Sequence, residues 1–231
     1  MKRFWREVTV APVDGGWQVA LDGRGVKTPR RAPQVVPTPA LAEALADEWR
    51  AQGEEVDPAE FVLRDLADYA LDVVSANPDA AIAPLLAYAE TDTLCYRAEP
   101  DEPLAARQRA LWEPLLKAAE ARYAVRFERV AGVIHRAQPP ATIERLRMAL
   151  AGRDPFTLAA LHTLAGLAAS LTVALAALEP EAEPETLWAA ANLEEDWQAE
   201  QWGEDAEAAA LRARRLRAFI AAARFARLAA R

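Results

Sequence analysis

The spacing of apolar residues changes once along this chain, between residues 53 and 62, and that change limits what it can fold into. Before it, apolar and polar residues alternate. Phe4-Trp5-Arg6-Glu7-Val8-Thr9-Val10 leads through Asp14-Gly15-Gly16 to Trp17-Gln18-Val19-Ala20-Leu21, and Asp22-Gly23 turns the chain toward Val26. Alternation broken by Asp-Gly turns is the pattern of an antiparallel meander. Pro29, Pro33, Pro37 and Pro39 confine the sheet around Gln34-Val35-Val36, because proline cannot donate to a ladder. Thr38-Pro39 then offers a cap and a first helical residue for one helix, with Leu41, Leu45 and Trp49 on one face and Gly53 closing it.

After residue 57 the apolar residues recur at helical spacing almost to the end. Asp57-Pro58 with Glu60 marks a capped start, followed by a stripe of Leu63, Leu66, Ala70, Leu71 and Val74 that Asn77-Pro78 breaks. Ile82, Leu85, Leu86 and Ala89 mark the next helix, and Leu104, Gln108, Leu111, Trp112, Leu115 and Leu116 another. A short strand is expected over 125–127, then helices over 143–150, 155–178, 184–202 and 206–228. The expectation is an α+β protein with a β-rich domain carrying one helix over residues 1–57, and a mainly helical, orthogonal-bundle domain over 58–231.

The stretch 155–178 has no charged side chain and is long enough to span a bilayer. Acidic residues flank both ends, Asp154 and Glu179, and no aromatic belt accompanies it, so a buried central helix is the expectation rather than a membrane insertion. The formal charge of -8 disfavours nucleic acid and anionic membrane as partners. Cys95 is the sole cysteine and reads as a small buried residue. MKRFWREVTV enters the strand pattern directly, with neither a signal-peptide core nor a transit composition, which points to a cytoplasmic protein.

A catalytic reading needs a nucleophile with its base, a metal cluster or a phosphate loop. The sequence offers no persuasive version of any of these, so no catalytic residue, metal ligand or cofactor is assigned. His135 and His162 are far apart, and His162 reads as a satisfied core residue. Asp196 with Glu200, and Glu200 with Glu204, stand one helical turn apart, but any acidic helix produces such pairs. The competing enzyme reading is a hydrolase or metal site at Glu194, Glu195 and Asp196. Between Arg153 and Arg212 there is no Lys or Arg, while Arg212, Arg214, Arg215, Arg217, Arg224, Arg227 and Arg231 fill the tail. Acidic and basic helices lying side by side would neutralise one another; the alternative is two separate binding patches.

The run LEEDWQAEQWGED, 193–205, is odder than a solvated face. At helical spacing Trp188 and Trp202 fall on one side with Asn192, Glu195 and Ala199, and Trp197 falls nearly opposite with Leu193. Both faces carry large aromatics, so either both pack inside the bundle or one of them meets another protein. Trp188 and Trp197, and with them Trp202, are expected to anchor the helix.

LEEDWQAEQWGED together with YAETDTLCYRA at 88–98, ALADEWRAQGE at 44–54, and RFWREVTV with DGRGVKTP near the N-terminus resembles the assembly-chaperone family for the alpha subunit of the F-type ATP synthase head. The likeness covers essentially the whole chain in order. It implies the two-part architecture above and a protein, monomeric by itself, that holds the unassembled alpha subunit, shields its subunit interface and releases it during assembly. The family's acidic motif position maps onto Glu194 and its Trp-Gly onto Trp202 and Gly203; with Gln198 and Gln201 these are the expected partner-binding residues. The helix tryptophan before Gln maps onto Trp49 and is expected to be structural. Eukaryotic-type members continue into an acidic, His-Asp-containing segment, whereas this chain reads Glu204-Asp205-Ala206-Glu207; it also shows none of their presequence pattern, so a bacterial cytoplasmic member is the expectation.

Overall fold

A computed structural model describes residues 2–132, 134–203 and 205–230. The architecture is α+β, with a small antiparallel sheet followed by a helical region. The chain divides into two units, Met1–Pro78 with Asp154–Ala160 and Arg224–Arg231, and Asp79–Arg153 with Leu161–Ala223. The change of spacing near residue 57 lies inside the first of them.

In the first unit, β1 (Val8–Val13) and β2 (Gly16–Leu21) form a hairpin in register from Val8 opposite Leu21 to Val13 opposite Gly16. Asp22 and Gly23 both take positive φ, 48° and 77°, and return the chain into β3 (Arg24–Gly25). A turn with both central residues left-handed matches the strand twist, which is why Asp-Gly sits there. β2 is the central strand: β1 covers one edge, while β3 and β4 (Val35–Val36) share the other. Helix α1 (Pro39–Ala51) starts where expected, with the Thr38 hydroxyl oxygen accepting from the Leu41 N–H at 3.1 Å. Its inner face brings Leu41, Leu45 and Trp49 into the core, and Trp49 stands edge-on to Trp5 at 4.9 Å and tilted on Phe61 at 4.6 Å.

Asp57 caps a single 3-10 turn, Pro58–Glu60, and α2 (Val62–Tyr69) begins beyond it. No side chain of its own segment caps α2; Glu48 on α1 accepts from the Leu63 and Arg64 N–H groups at 2.7 and 2.9 Å. The helix widens into a π turn over Ala70–Val74.

The second unit is built on α3 (Pro78–Glu90), α4 (Pro103–Tyr123), α5 (Pro140–Ala151), most of α6 (Pro155–Ala168), α7 (Leu171–Ala176), α8 (Pro184–Ala191), α9 (Leu193–Trp202) and most of α10 (Ala206–Ala229). A two-stranded parallel pair, β5 (Tyr96–Arg97) with β6 (Val130–Ala131), ties the loop after α3 to the segment after α4. Trp112 is fully buried at its centre, its Nε1–H donating to the Ala190 carbonyl at 2.7 Å.

The uncharged stretch is buried as expected but is two helices, not one. Ala169 takes φ 47° and Ser170 caps the start of α7. The cause lies elsewhere in the chain: fully buried Asp92 accepts from the Ser170 hydroxyl, the Thr172 N–H and the Leu94 N–H at 2.7, 2.8 and 3.1 Å. One carboxylate thereby satisfies the starts of two helical segments, and burial holds its pKa above the ordinary value. Among the described residues no helix is long and apolar enough to cross a membrane.

The strand expected over 125–127 is irregular. Its backbone groups bond to side chains instead of a neighbouring strand: the Phe127 N–H donates to Glu120 at 2.8 Å, and the Arg126 carbonyl accepts from the Thr142 hydroxyl at 2.6 Å. His162 is half-buried with Nε2 at 2.7 Å from the Ala81 carbonyl oxygen, and burial lowers its pKa. The Cys95 thiol is buried, and desolvation pushes its pKa up to about 12, so it is a core residue with no nucleophilic character at neutral pH.

Candidate functional site

The expected helix over 184–202 is broken at Asn192, which is non-helical (φ -103°, ψ 18°). The Asn192 side chain donates to the Trp188 carbonyl at 2.8 Å, closing α8, while its own carbonyl accepts from Asp196 and opens α9. α9 ends at Gly203, with φ 87° and ψ 164°. That region is accessible in practice only to glycine, which gives the Trp-Gly pair a backbone reason. The chain turns there, and Asp205 caps α10 by accepting from the Glu207 and Ala208 N–H groups at 3.1 and 3.0 Å.

The turn brings α10 alongside α9 and leaves a groove of about 480 Å³ between them. One wall is the face anticipated from helical spacing, Trp188, Asn192, Glu195, Ala199 and Trp202, with Gln198 from its edge; the other includes Leu211 and Arg215. Asp196 and Arg212 are ion-paired across the two helices. Trp188 is buried and packs on Phe219 at 5.7 Å. Trp202, at the far end of the groove, is 80% exposed, and Leu211 is 45% exposed. Trp202 therefore does not anchor the helix. It presents a large apolar surface to solvent, where a partner would bury it.

The opposite side of α9 meets α4. Trp197 is half-buried beneath the Arg107 guanidinium at 4.5 Å, and Arg107 also forks onto Glu200 at 2.8 and 2.9 Å. Glu194 reaches Gln108, whose Nε2–H donates to it at 2.7 Å, and the Gln108 Oε1 accepts from the Ala98 N–H at 2.8 Å. Gln108 is fully buried, so it joins the end of the 88–98 run to the acidic run through a line of two hydrogen bonds. Desolvation raises the pKa of Glu194 above its ordinary value, against the bond from Gln108, which lowers it.

The five expected contact residues are thus divided. Gln198, Trp202 and Gly203 line the groove. Glu194 lies on the α4 side, its carboxylate partly desolvated where one oxygen is held by Gln108, and Gln201 is exposed without lining the groove. Helical spacing did not identify Gln108 as a site residue, although a polar side chain within the apolar stripe of α4 was the signal. Nor did it find the α10 wall, which depends on the turn at Gly203.

Of the carboxylates in the enzyme reading, Glu194 is bonded to Gln108, Asp196 is paired with Arg212 and Glu195 lines the groove; of the one-turn pairs, Glu200 is paired with Arg107 and Glu204 lies outside the described residues. Among the described residues no group of three or more His, Cys, Asp or Glu side chains is placed to hold a metal ion. Of the tail arginines, Arg231 lies outside the described residues, and among the others Arg212 forms the ion pair with the acidic helix.

The family model described as ATP12 chaperone protein matches residues 2–120. The crystal structure of Atp12 from Paracoccus denitrificans superposes with a TM-score of 0.93 at 39% identity, covering 99% of this chain and 98% of that one. An Agrobacterium tumefaciens protein described as a chaperone gives 0.93 at 42% identity over 98% of this chain and 85% of that one. The mitochondrial atp12 protein of Schizosaccharomyces pombe is 27% identical over 214 residues, 87% of this chain and 74% of that one.

Proposed function

This chain belongs to the ATP12 chaperone family, and on that premise we propose that it binds the unassembled alpha subunit of the F-type ATP synthase head, shields its subunit interface and gives it up during assembly. The observation that carries this reading is Trp202, 80% exposed at the lip of the α9–α10 groove. A tryptophan in that setting buries a large area on contact at little rotamer cost, which is what an interface anchor supplies.

An orphan subunit exposes apolar surface meant for its neighbour. A chaperone for it needs enough affinity to outcompete aggregation and little enough to be displaced by that neighbour. A groove with one exposed aromatic, rimmed by Gln198, Glu195 and Arg215, fits such intermediate affinity. In this reading the protein acts without catalysis, and in the cytoplasm of a bacterial cell.

The test is co-purification of the chain against each separately produced head subunit. Selective capture of alpha is the expected result; equal capture of beta, or no capture of alpha, refutes the assignment.

A further inference from the structure

A second groove lies wholly in the first unit, about 490 Å³ in volume, between the turn that carries β3 and the aromatic stack on α1. Its apolar lining includes Phe4, Leu21, Val26 and Trp49. Phe4 is 68% exposed, held edge-on against Trp5 at 5.0 Å, so its position is set while most of its ring is unburied. Trp49 is 8% exposed, a buried ring that contributes apolar lining to the groove.

Charged side chains also line the groove. Arg24 and Lys27 are exposed, and neither forms an ion pair among the described residues. Asp22, which feels the charge of Arg24, already accepts from the Arg6 and Glu7 N–H groups at 3.0 and 2.8 Å. The acid that lines the groove, Asp68, accepts from Gln34 at 2.6 Å and lies 3.9 Å from Arg64. Arg64 is itself occupied, stacked over Phe61 at 4.0 Å and bonded to Asp65 at 2.8 Å. The groove therefore offers two cations without ion-pair partners among the described residues and an exposed phenyl ring, in a chain whose total charge of -8 repels long polyanions such as nucleic acid.

We propose that this groove takes a short acidic segment of the client, seating an aromatic or aliphatic side chain against Phe4 while its carboxylates meet Arg24 and Lys27. The inference rests on the chaperone reading above. It adds a basic docking surface to the groove that holds Trp202.

The test measures capture of the unassembled alpha subunit by the full chain, by the double variant Arg24→Gln/Lys27→Gln and by Phe4→Ser, each first checked for an unchanged melting temperature. A photo-cross-linker at position 27 maps what lies against the groove. Phe4→Ser is expected to weaken capture by at least about tenfold, as loss of an aromatic anchor does. The double variant should slow association and flatten the dependence of capture on salt. Cross-links should fall on a peptide rich in Asp and Glu. Undiminished capture by both variants, cross-links to a neutral or basic peptide, or loss of self-association in their place would overturn the proposal; the last would make the groove a contact between copies. If the wild type captures a different head subunit, the alpha reading fails, and the same variants measured on that subunit still decide the groove. Capture of no subunit overturns both.

Discussion

Trp5 and Trp49 in the first unit and Trp188, Trp197 and Trp202 in the second form two tryptophan groups whose surroundings diverge. Trp5 and Trp49 are both buried, each ring against another ring. Along α8 and α9 exposure climbs from 3% at Trp188, through half-buried Trp197, to 80% at Trp202. The first group holds a sheet against a helix. The second begins in the core and ends in solvent, so the same residue type supplies stability at one end and unspent contact area at the other.

The largest test of that contrast lies at its buried ends. Trp49→Ala and Trp188→Ala each remove a ring from a packed core, and each should cost about 3–5 kcal/mol. For a chain of this size that lowers the melting temperature by roughly 6–20 °C, readable by circular dichroism. A small effect at Trp188 would mean that the second group is loosely packed throughout, and the contrast with the first would fail.

Glu194 gives an intermediate test, because its bond from Gln108 couples contact to stability. Glu194→Ala leaves the buried Gln108 Nε2–H without an acceptor and should cost about 1–3 kcal/mol. Glu194→Gln keeps an acceptor and should be close to wild type in melting temperature, so any loss of alpha-subunit capture in it reports the charge alone. The raised carboxyl also has a pH signature. Its proton is held more tightly in the folded than in the unfolded chain, so its contribution to stability is fully present below the ordinary value of 4.5 and lost as pH rises through the folded value. Melting curves from pH 4 to pH 8 should show a smaller decline for Glu194→Gln than for wild type; an equal decline would place the effect on other buried acids such as Glu48 and Asp92, whose pKa values burial also raises.

Gly203→Ala probes the turn that makes the groove. An added Cβ meets nothing within 4 Å, so the cost is backbone strain at φ 87° and not collision. About 1–2 kcal/mol is expected, with capture reduced because α10 no longer lies alongside α9 in the same way. Loss of stability with undiminished capture would detach the groove from function.

What could be read in advance follows from where the determining groups lie. The hairpin, the Asp-Gly turn and the Thr38 cap depend on neighbours in sequence, and local chemistry found them. The break at Ala169 depends on Asp92, and the irregular path of 125–127 on Glu120 and Thr142; those partners are assigned by folding, so spacing suggested a continuous helix and a strand instead. The site divides the same way. Spacing of about 100° per residue put Trp188, Asn192 and Trp202 on one face correctly, because that is a property of one helical segment and its continuation. The α10 wall and the Gln108 link needed residues brought from other helices, and no periodicity encodes them.

The smallest stability effect belongs to Trp202. Its indole makes too little buried contact for its removal to matter to the fold, so Trp202→Ser should shift the melting temperature by no more than about 0.5 kcal/mol would, within the range of ordinary surface changes. Capture of the alpha subunit should nonetheless fall by about thirtyfold or more, the loss expected on removing an interface anchor worth about 2 kcal/mol. Titration of the labelled alpha subunit with wild type and variant measures this directly. If capture is unchanged, the exposed tryptophan is only an uncovered side chain, and the groove beside it loses its claim to be the client surface.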